Sequence, residues 1–426
     1  MNKLAHLGGT PARQKPFPSW PVYDESEERA LLEVLRSGQW WSGNQSYQNA
    51  NEEKPLSKAM AFEREFAAFH GVGYGLACSS GTAALELALK AAGVGPGDEV
   101  IVPPYTFLAT ASAPLLLGAI PVFCDIQPET LNLNPERLEE AITPRTKAII
   151  PVHFAGLAAD MERIIAIARP RGIFVLEDAA HGHGGSSRGR RLGALADASI
   201  FSFQASKNMT AGEGGIVLTD DAEIAELCNS YLWAGRKVGR PWYEHFRLGW
   251  NYRITEFQAA ILIEQLRRLP EQTARRVQNG LRLSELLREV PGIEPLAIPE
   301  WVTEHAFHVY IFRLDAQRFG LDREQFLELL QAEGVPCSGG YSQPLYRNPM
   351  FVENNFHSNG HPLAPSGQYL DYLQYRDKCP IAERACKEMV WIEHRVLLGD
   401  LEDMEDVARA IQKIYAFQHE IKGVKA

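Results

Sequence analysis

None of the six cysteines (Cys78, Cys124, Cys228, Cys337, Cys379 and Cys386) stands in a C-x-x-C pair, so neither a zinc site nor a disulfide framework is implied. No apolar run reaches the roughly 20 residues needed to span a bilayer. Met1 to Gly9 carries charges and a histidine where a signal peptide would have an apolar core. Basic residues are also in deficit. With 43 Lys and Arg against 53 Asp and Glu, the formal charge of −10 argues against nucleic acid or an anionic membrane as a partner. What is left is a cytoplasmic protein that works on small molecules.

With 426 residues, 45% of them hydrophobic and 23% charged, the chain is long enough for two globular domains. From Phe62 onward short apolar runs alternate with helix-compatible sequence. The runs Val72–Ala77, Glu99–Pro103, Ala119–Phe123, Lys147–Val152 and Ile173–Glu177 are nearly continuous in aliphatic residues, as strands buried on both faces are. The expected class is α/β with a largely parallel sheet. Thr255 to Val290 has helical spacing, and Pro270 is expected to kink or divide it. After Pro291 the pattern becomes mixed α+β. These boundaries predict an N-terminal arm over 1–24, a large domain over 25–265 and a smaller one over 266–426. The arm, with Pro16, Pro18, Trp20 and Pro21, is expected to lie as an extended strap on one domain or on a neighbouring subunit. Tyr346 to Tyr375 lacks periodicity and reads as a long irregular insertion.

Four segments fall at the carboxyl ends of predicted strands, where open α/β sheets bind ligands. Ser79-Ser80-Gly81-Thr82-Ala83 turns a strand into a helix, and the free amides of such a start favour an anion, although an ordinary serine cap has the same look. Pro104-Tyr105-Thr106-Phe107 offers an aromatic ring to stack on a flat ligand, or simply to fill a core. Glu177-Asp178-Ala179-Ala180-His181-Gly182-His183 places an acid and histidines among small residues. Asp178 is placed to hold a proton on a pyridine nitrogen and His181 to bond a neighbouring ring hydroxyl; a metal site of Asp178, His181 and His183 competes, without a recognisable fourth ligand. The last is Lys207, on the polar, glycine-rich stretch Gln204 to Gly215 between two strand-like runs. Read alone, it is more simply a solvated surface lysine. An amine, an acid for a ring nitrogen, a stacking ring and an anion-binding helix start are together what a protein must supply to pyridoxal phosphate.

In order along the chain, SSGTAAL, PYTFLATA, EDAAHGHG, FSFQASKNMTAGEGG and Asn251-Tyr252-Arg253-Ile254-Thr255-Glu256 strongly resemble the DegT/DnrJ/StrS aminotransferases of keto-sugars and keto-cyclitols. The resemblance implies a fold-type I aminotransferase, with a large domain built on a central, mostly parallel sheet and a smaller α+β C-terminal domain. It implies pyridoxal 5′-phosphate as cofactor, with Lys207 as the lysine bonded to it and the mover of the proton during a ping-pong transamination. Asp178 matches the acid beside the pyridine nitrogen, His181 the residue near the ring hydroxyl and Phe107 the stacked ring. Gly81, Thr82 and Ser202 match phosphate-binding groups. Asn251 matches an asparagine that reaches the phosphate in the neighbouring subunit, which implies a homodimer with shared active sites.

Ser37-Gly38-Gln39-Trp40-Trp41, Pro151-Val152-His153-Phe154-Ala155-Gly156 and Glu393-His394-Arg395-Val396-Leu397-Leu398-Gly399 narrow the resemblance to cyclitol aminotransferases and aminohydroxybenzoate synthases. The H-Y-x-x-P-L-H segment of nucleotide-sugar members is altered to Gly340-Tyr341-Ser342-Gln343-Pro344-Leu345-Tyr346, without either histidine. The expected reaction moves an amino group from L-glutamine to a keto-cyclitol such as scyllo-inosose. The alternatives are a nucleotide-linked keto-sugar with L-glutamate as donor and, from another class, a regulatory protein that binds the cofactor without turnover. A dehydrating relative carries histidine in place of the lysine, so Lys207 argues against that reaction. Tyr341, His153 and His308 are expected, from position alone, to orient the substrate.

Overall fold

The computed structural model describes residues 3–41, 57–356 and 370–421. Fourteen strands are described, in chain order. β1 (Tyr74–Cys78), β2 (Glu99–Val102), β3 (Ile120–Phe123), β4 (Thr146–Ile149) and β5 (Phe174–Asp178) come first. A small hairpin of β6 (Ser186–Ser187) and β7 (Arg190–Arg191) follows, then β8 (Ala198–Ser202) and β9 (Gly215–Thr219). The main sheet has the spatial order β1-β9-β8-β5-β4-β2-β3. β9 is antiparallel to both neighbours and the other adjacent pairs are parallel. Residues of β2, β8 and β9 are buried along their full length, which is why these runs need no alternation of polar and apolar side chains. The expected strands are present, and parallel pairing of β5 with β8 puts Asp178 opposite Ile200.

The chain after residue 291 builds a second, antiparallel sheet from β10 (Ile293–Pro295), β12 (Val309–Leu314), β13 (Cys337–Ser338) and β14 (Met389–Glu393), in the order β10-β12-β14-β13. It packs a separate core that includes Phe312, Phe326, Leu330, Met404 and Ile411. β11 (Val302–Glu304) leaves this region and pairs with the β6–β7 hairpin. This third sheet joins the segment between β5 and β8 to the chain after residue 291. Among the described residues, no helix is long and apolar enough to cross a membrane.

Two expectations need correction. Pro270 does not divide the long helix, which runs from Glu256 to Leu287 and starts with a capping box between Thr255 and Gln258. Proline removes one backbone donor there, yet Leu262, Leu266, Leu269, Thr273 and Arg276 are all buried along the same helix, and that packing carries it through. Tyr346 is not part of an irregular insertion. It lies in a 3-10 turn, Leu345–Arg347, fully buried, with its hydroxyl on Glu383 Oε1 at 3.0 Å and its ring beside Phe123. Of the rest of the expected insertion, residues 357–369 lie outside the described residues.

The N-terminal arm packs on its own chain. Leu4 is buried in the second core, and Glu333 accepts hydrogen bonds from the amides of Ala5 (2.9 Å) and Ala12 (2.7 Å) and from Lys413 Nζ (2.8 Å). Arg13, almost wholly buried, bonds Asp403 and, at 3.0 Å, Asp406 of the C-terminal helix, with its guanidinium over the Phe17 ring. Removing one member of a buried ion pair strands the others. Arg13→Ala is therefore expected to destabilise the protein by about 3 kcal/mol, read as a lower urea midpoint; an unchanged midpoint would show that the arm contributes nothing to stability.

Candidate active site

Lys207 sits on the crossover from β8 to β9, half-buried in the wall of a cavity of about 550 Å³. The loop shapes itself through local bonds: the Lys207 amide donates to the Gln204 carbonyl at 2.9 Å and the Ser206 amide to Gln204 Oε1 at 2.8 Å. At its base Thr210 Oγ1 donates to the Phe203 carbonyl at 2.9 Å. Removal from water pulls the amine's pKa from 10.5 down to about 8, against the opposing pull of the Asp178 carboxylate. A substantial share of the amine is therefore neutral near pH 8.

Asp178 is the last residue of β5 and is buried. Its Oδ2 accepts from Thr110 Oγ1 at 2.8 Å and its Oδ1 from the Ala180 amide at 3.2 Å. Burial raises its pKa, while these bonds and Lys207 hold it down. Strand alternation turns its neighbour the other way. Glu177 accepts from the amides of Gly193 (2.8 Å), Leu195 (2.6 Å) and Ala196 (2.9 Å) and pairs with His153 Nε2 at 2.8 Å. His153, fully buried in that pair, does not line the cavity, so its expected role toward substrate is withdrawn. His181 does line it. Its Nδ1 is buried with no hydrogen-bond partner among the described residues, its ring stacks on His308 at 4.1 Å, and burial holds it neutral, well below the usual histidine pKa. His183 packs instead against Phe201 and Phe203. Among the described residues no group of three or more His, Cys, Asp or Glu is placed to hold a metal ion.

The helix Gly81–Ala91 begins at the cavity. Ser80 Oγ caps the Ala83 amide at 3.1 Å, and the amides of Gly81 and Thr82, in the first turn, have no partner within the helix. A Cβ at Gly81 would stand 2.7 Å from Ser202 Cβ, so only glycine lets the helix start and the end of β8 meet. That contact puts the buried Ser202 hydroxyl beside a helix N-terminus, a cradle for an anion. Phe107, 60% exposed, stands on the loop after β2 and lines the same cavity. Tyr341, His308 and Trp391 reach it from the chain after residue 291. Like His153, Asn251 lies outside the cavity; it is exposed and its backbone bridges Trp233.

Sequence reasoning missed Thr110, Gln204, Glu213 and Trp391, which all line the cavity. Thr110 had a signal: it is a threonine within an otherwise small and apolar helix, four residues after Thr106, to which it hydrogen-bonds at 3.2 Å. Trp391 had none, because its place depends on how the second sheet meets the first. The altered G-Y-x-x-P-L-Y segment divides on inspection. Tyr341 lines the cavity, whereas Tyr346 is buried in the core.

A family model described as the DegT/DnrJ/EryC1/StrS aminotransferase family matches residues 21–412. The 3-amino-5-hydroxybenzoate synthase of Amycolatopsis mediterranei is 38% identical over 408 residues, covering 94% of this chain and 98% of that protein. The L-glutamine:2-deoxy-scyllo-inosose aminotransferase of Streptomyces paromomycinus is 39% identical over 423 residues, covering 96% and 97%. A crystal structure of 3-amino-5-hydroxybenzoic acid synthase superposes with a TM-score of 0.84 at 36% identity, over 95% of this chain and all of the other. The cofactor implied is pyridoxal 5′-phosphate, and the cavity fits it: an anion cradle, a buried carboxylate, a buried histidine nitrogen without a partner and an amine of lowered pKa surround one space. The chain belongs to the DegT/DnrJ/EryC1/StrS family and is a pyridoxal-phosphate-dependent aminotransferase.

Proposed function

We propose that this enzyme moves an amino group from L-glutamine to a keto-cyclitol of the scyllo-inosose type, with Lys207 as the proton carrier. The observation that carries the reading is the convergence of Lys207, Asp178 and the Gly81–Ser202 cradle on one cavity, in a chain whose relatives include inosose aminotransferases. Pyridoxal phosphate, when bound, supplies the aldehyde that captures the donor nitrogen and an electron-withdrawing ring. Gly81, Thr82 and Ser202 would hold its phosphate, and Phe107 would lie against its ring. Asp178, which accepts hydrogen bonds from Thr110 and the Ala180 amide, would pair with the pyridine nitrogen and favour a proton there. His181 offers its free nitrogen to the ring hydroxyl.

Lys207 then takes the proton from the donor carbon that bears nitrogen, and later returns a proton to the acceptor carbon. It can do so because, among the described residues, its amine has no salt-bridge partner, and burial lowers its pKa. Tyr341, His308 and Trp391 line the space left for the acceptor. Exposed Trp40, Trp41, Trp242, Tyr243 and Leu248 support a homodimer in which Asn251 reaches the partner's cofactor phosphate.

Two measurements test this reading. In the cofactor-free protein, trace acetylation of Lys207, followed by peptide mass spectrometry, should rise with pH and level off above about pH 8, since only the neutral amine reacts and its pKa is lowered. A rise continuing past about pH 10, as for an ordinary lysine, would contradict the burial of the amine. In the second, L-glutamine should bleach the long-wavelength absorbance of the loaded protein, and 2-deoxy-scyllo-inosose should restore it. Restoration only by a thymidine-diphospho keto-sugar, after bleaching by L-glutamate, would replace the cyclitol reading with the nucleotide-sugar one.

A further inference from the structure

The N-terminal arm and the Glu393-His394-Arg395 segment have no part in the roles above, yet both converge on the loop that carries Lys207. Trp20 Nε1 donates to the Ala205 carbonyl at 2.8 Å. The Trp20 indole meets the ring of His394 edge-on, with centroids 4.6 Å apart and planes at 85°. His394 follows directly on β14 and is buried. Next to it, Arg395 Nη1 donates to the Pro18 carbonyl at 3.3 Å, which ties the arm down two residues before Trp20.

Arg276, from the middle of the long helix, lies with Nη2 at 3.2 Å from His394 Nδ1. A guanidinium has donors only, so this nitrogen of His394 accepts, and its ring proton sits on Nε2. The ring also has a backbone hydrogen bond with Ser206. Two successive residues before Lys207, Ala205 and Ser206, are thus each bonded through the backbone to a side chain from outside the loop. The residue after it is held as well: Asn208 Nδ2 donates to the Ala306 carbonyl at 2.8 Å, and its Oδ1 is 3.3 Å from His308 Nδ1. Ala205 and Ser206 are exposed and bury no side chains, so these bonds are what tie that part of the loop to the body.

Arg276 is also expensive for a space-filling residue. It is fully exposed to none of the solvent, has no carboxylate partner among the described residues, and burial pulls its pKa down to about 9. It remains a cation at neutral pH, and among the described residues it bonds His394 and lies with its guanidinium over the Trp20 ring. We infer that Trp20, His394 and Arg276 form a clamp that positions Lys207, with Arg276 acting through the tautomer it imposes on His394 and through its guanidinium, which lies over the Trp20 ring 5.4 Å from the centroid. All three are positioning residues. The inference rests on the reading of Lys207 as the proton carrier, since a misplacement of about 1 Å in a reacting group is enough to slow turnover strongly.

Trp20→Phe keeps the ring against His394 and deletes only the bond to Ala205; His394→Leu keeps the volume and deletes the bond to Ser206. His394→Gln can still accept from Arg276 and donate to Ser206. In the cofactor-free protein, hydrogen exchange of the peptide spanning residues 203–209 should speed up in the Phe and Leu variants and stay near the native rate in His394→Gln. In the loaded protein the rate of bleaching by the amino donor should fall about tenfold in the first two, with donor KM within about twofold, and recover with Gln. Native exchange and native bleaching rates in both Trp20→Phe and His394→Leu would overturn the clamp, as would an His394→Gln variant as impaired as His394→Leu, which would mean packing alone matters. A Lys207→Ala variant that still transaminates would instead remove the reading of Lys207, and the exchange data would judge the clamp separately.

Discussion

Taking the Lys207 amine out of water favours its neutral form, and the Asp178 carboxylate opposes that by favouring the charged one; the first effect is the larger. An amine in that balance can both form a bond to an aldehyde and carry a proton at neutral pH, which a solvated lysine does poorly. The carboxylate is under matching tension. Burial would protonate Asp178, and the bonds from Thr110 and the Ala180 amide resist it. The two charges favour one another, and burial works against both.

The sheet supplies the geometry for that opposition. Parallel pairing of β5 and β8 brings the carboxyl ends of both strands to one edge, with Asp178 on one and Ser202 on the other. A helix starting at Gly81 can approach that edge only because residue 81 has no side chain. The second sheet closes the space from the far side through His308, Tyr341 and Trp391. The N-terminal arm, anchored by Arg13 and Glu333 in the second core, ends on the lysine loop itself. Folding of the distant arm and placement of the reactive amine are in this way physically joined.

Much of this was legible from residues in a row. Continuous aliphatic runs marked the strands because a sheet covered on both faces has no polar side to reveal. The small, polar stretch around Lys207 and the acid at the end of Ile173–Asp178 marked the site because chemistry collects on loops at strand ends. What failed did so for tertiary reasons. Pro270 breaks a helix by local rules, and the buried face of Glu256–Leu287 overrides them. His153 looked available for substrate until strand alternation sent Glu177 away from the cavity to meet it. Trp391 and the contact between Trp20 and His394 join segments hundreds of residues apart, and no local pattern announces such a meeting.

The most direct test of the central claim is to reduce the loaded protein with borohydride, digest it and locate the pyridoxyl phosphate by peptide mass spectrometry. The added mass should lie on Lys207 alone, at close to one per chain. Its appearance on another lysine, or its absence from a protein that transaminates, would contradict the assignment of Lys207 as the residue on which the site is built.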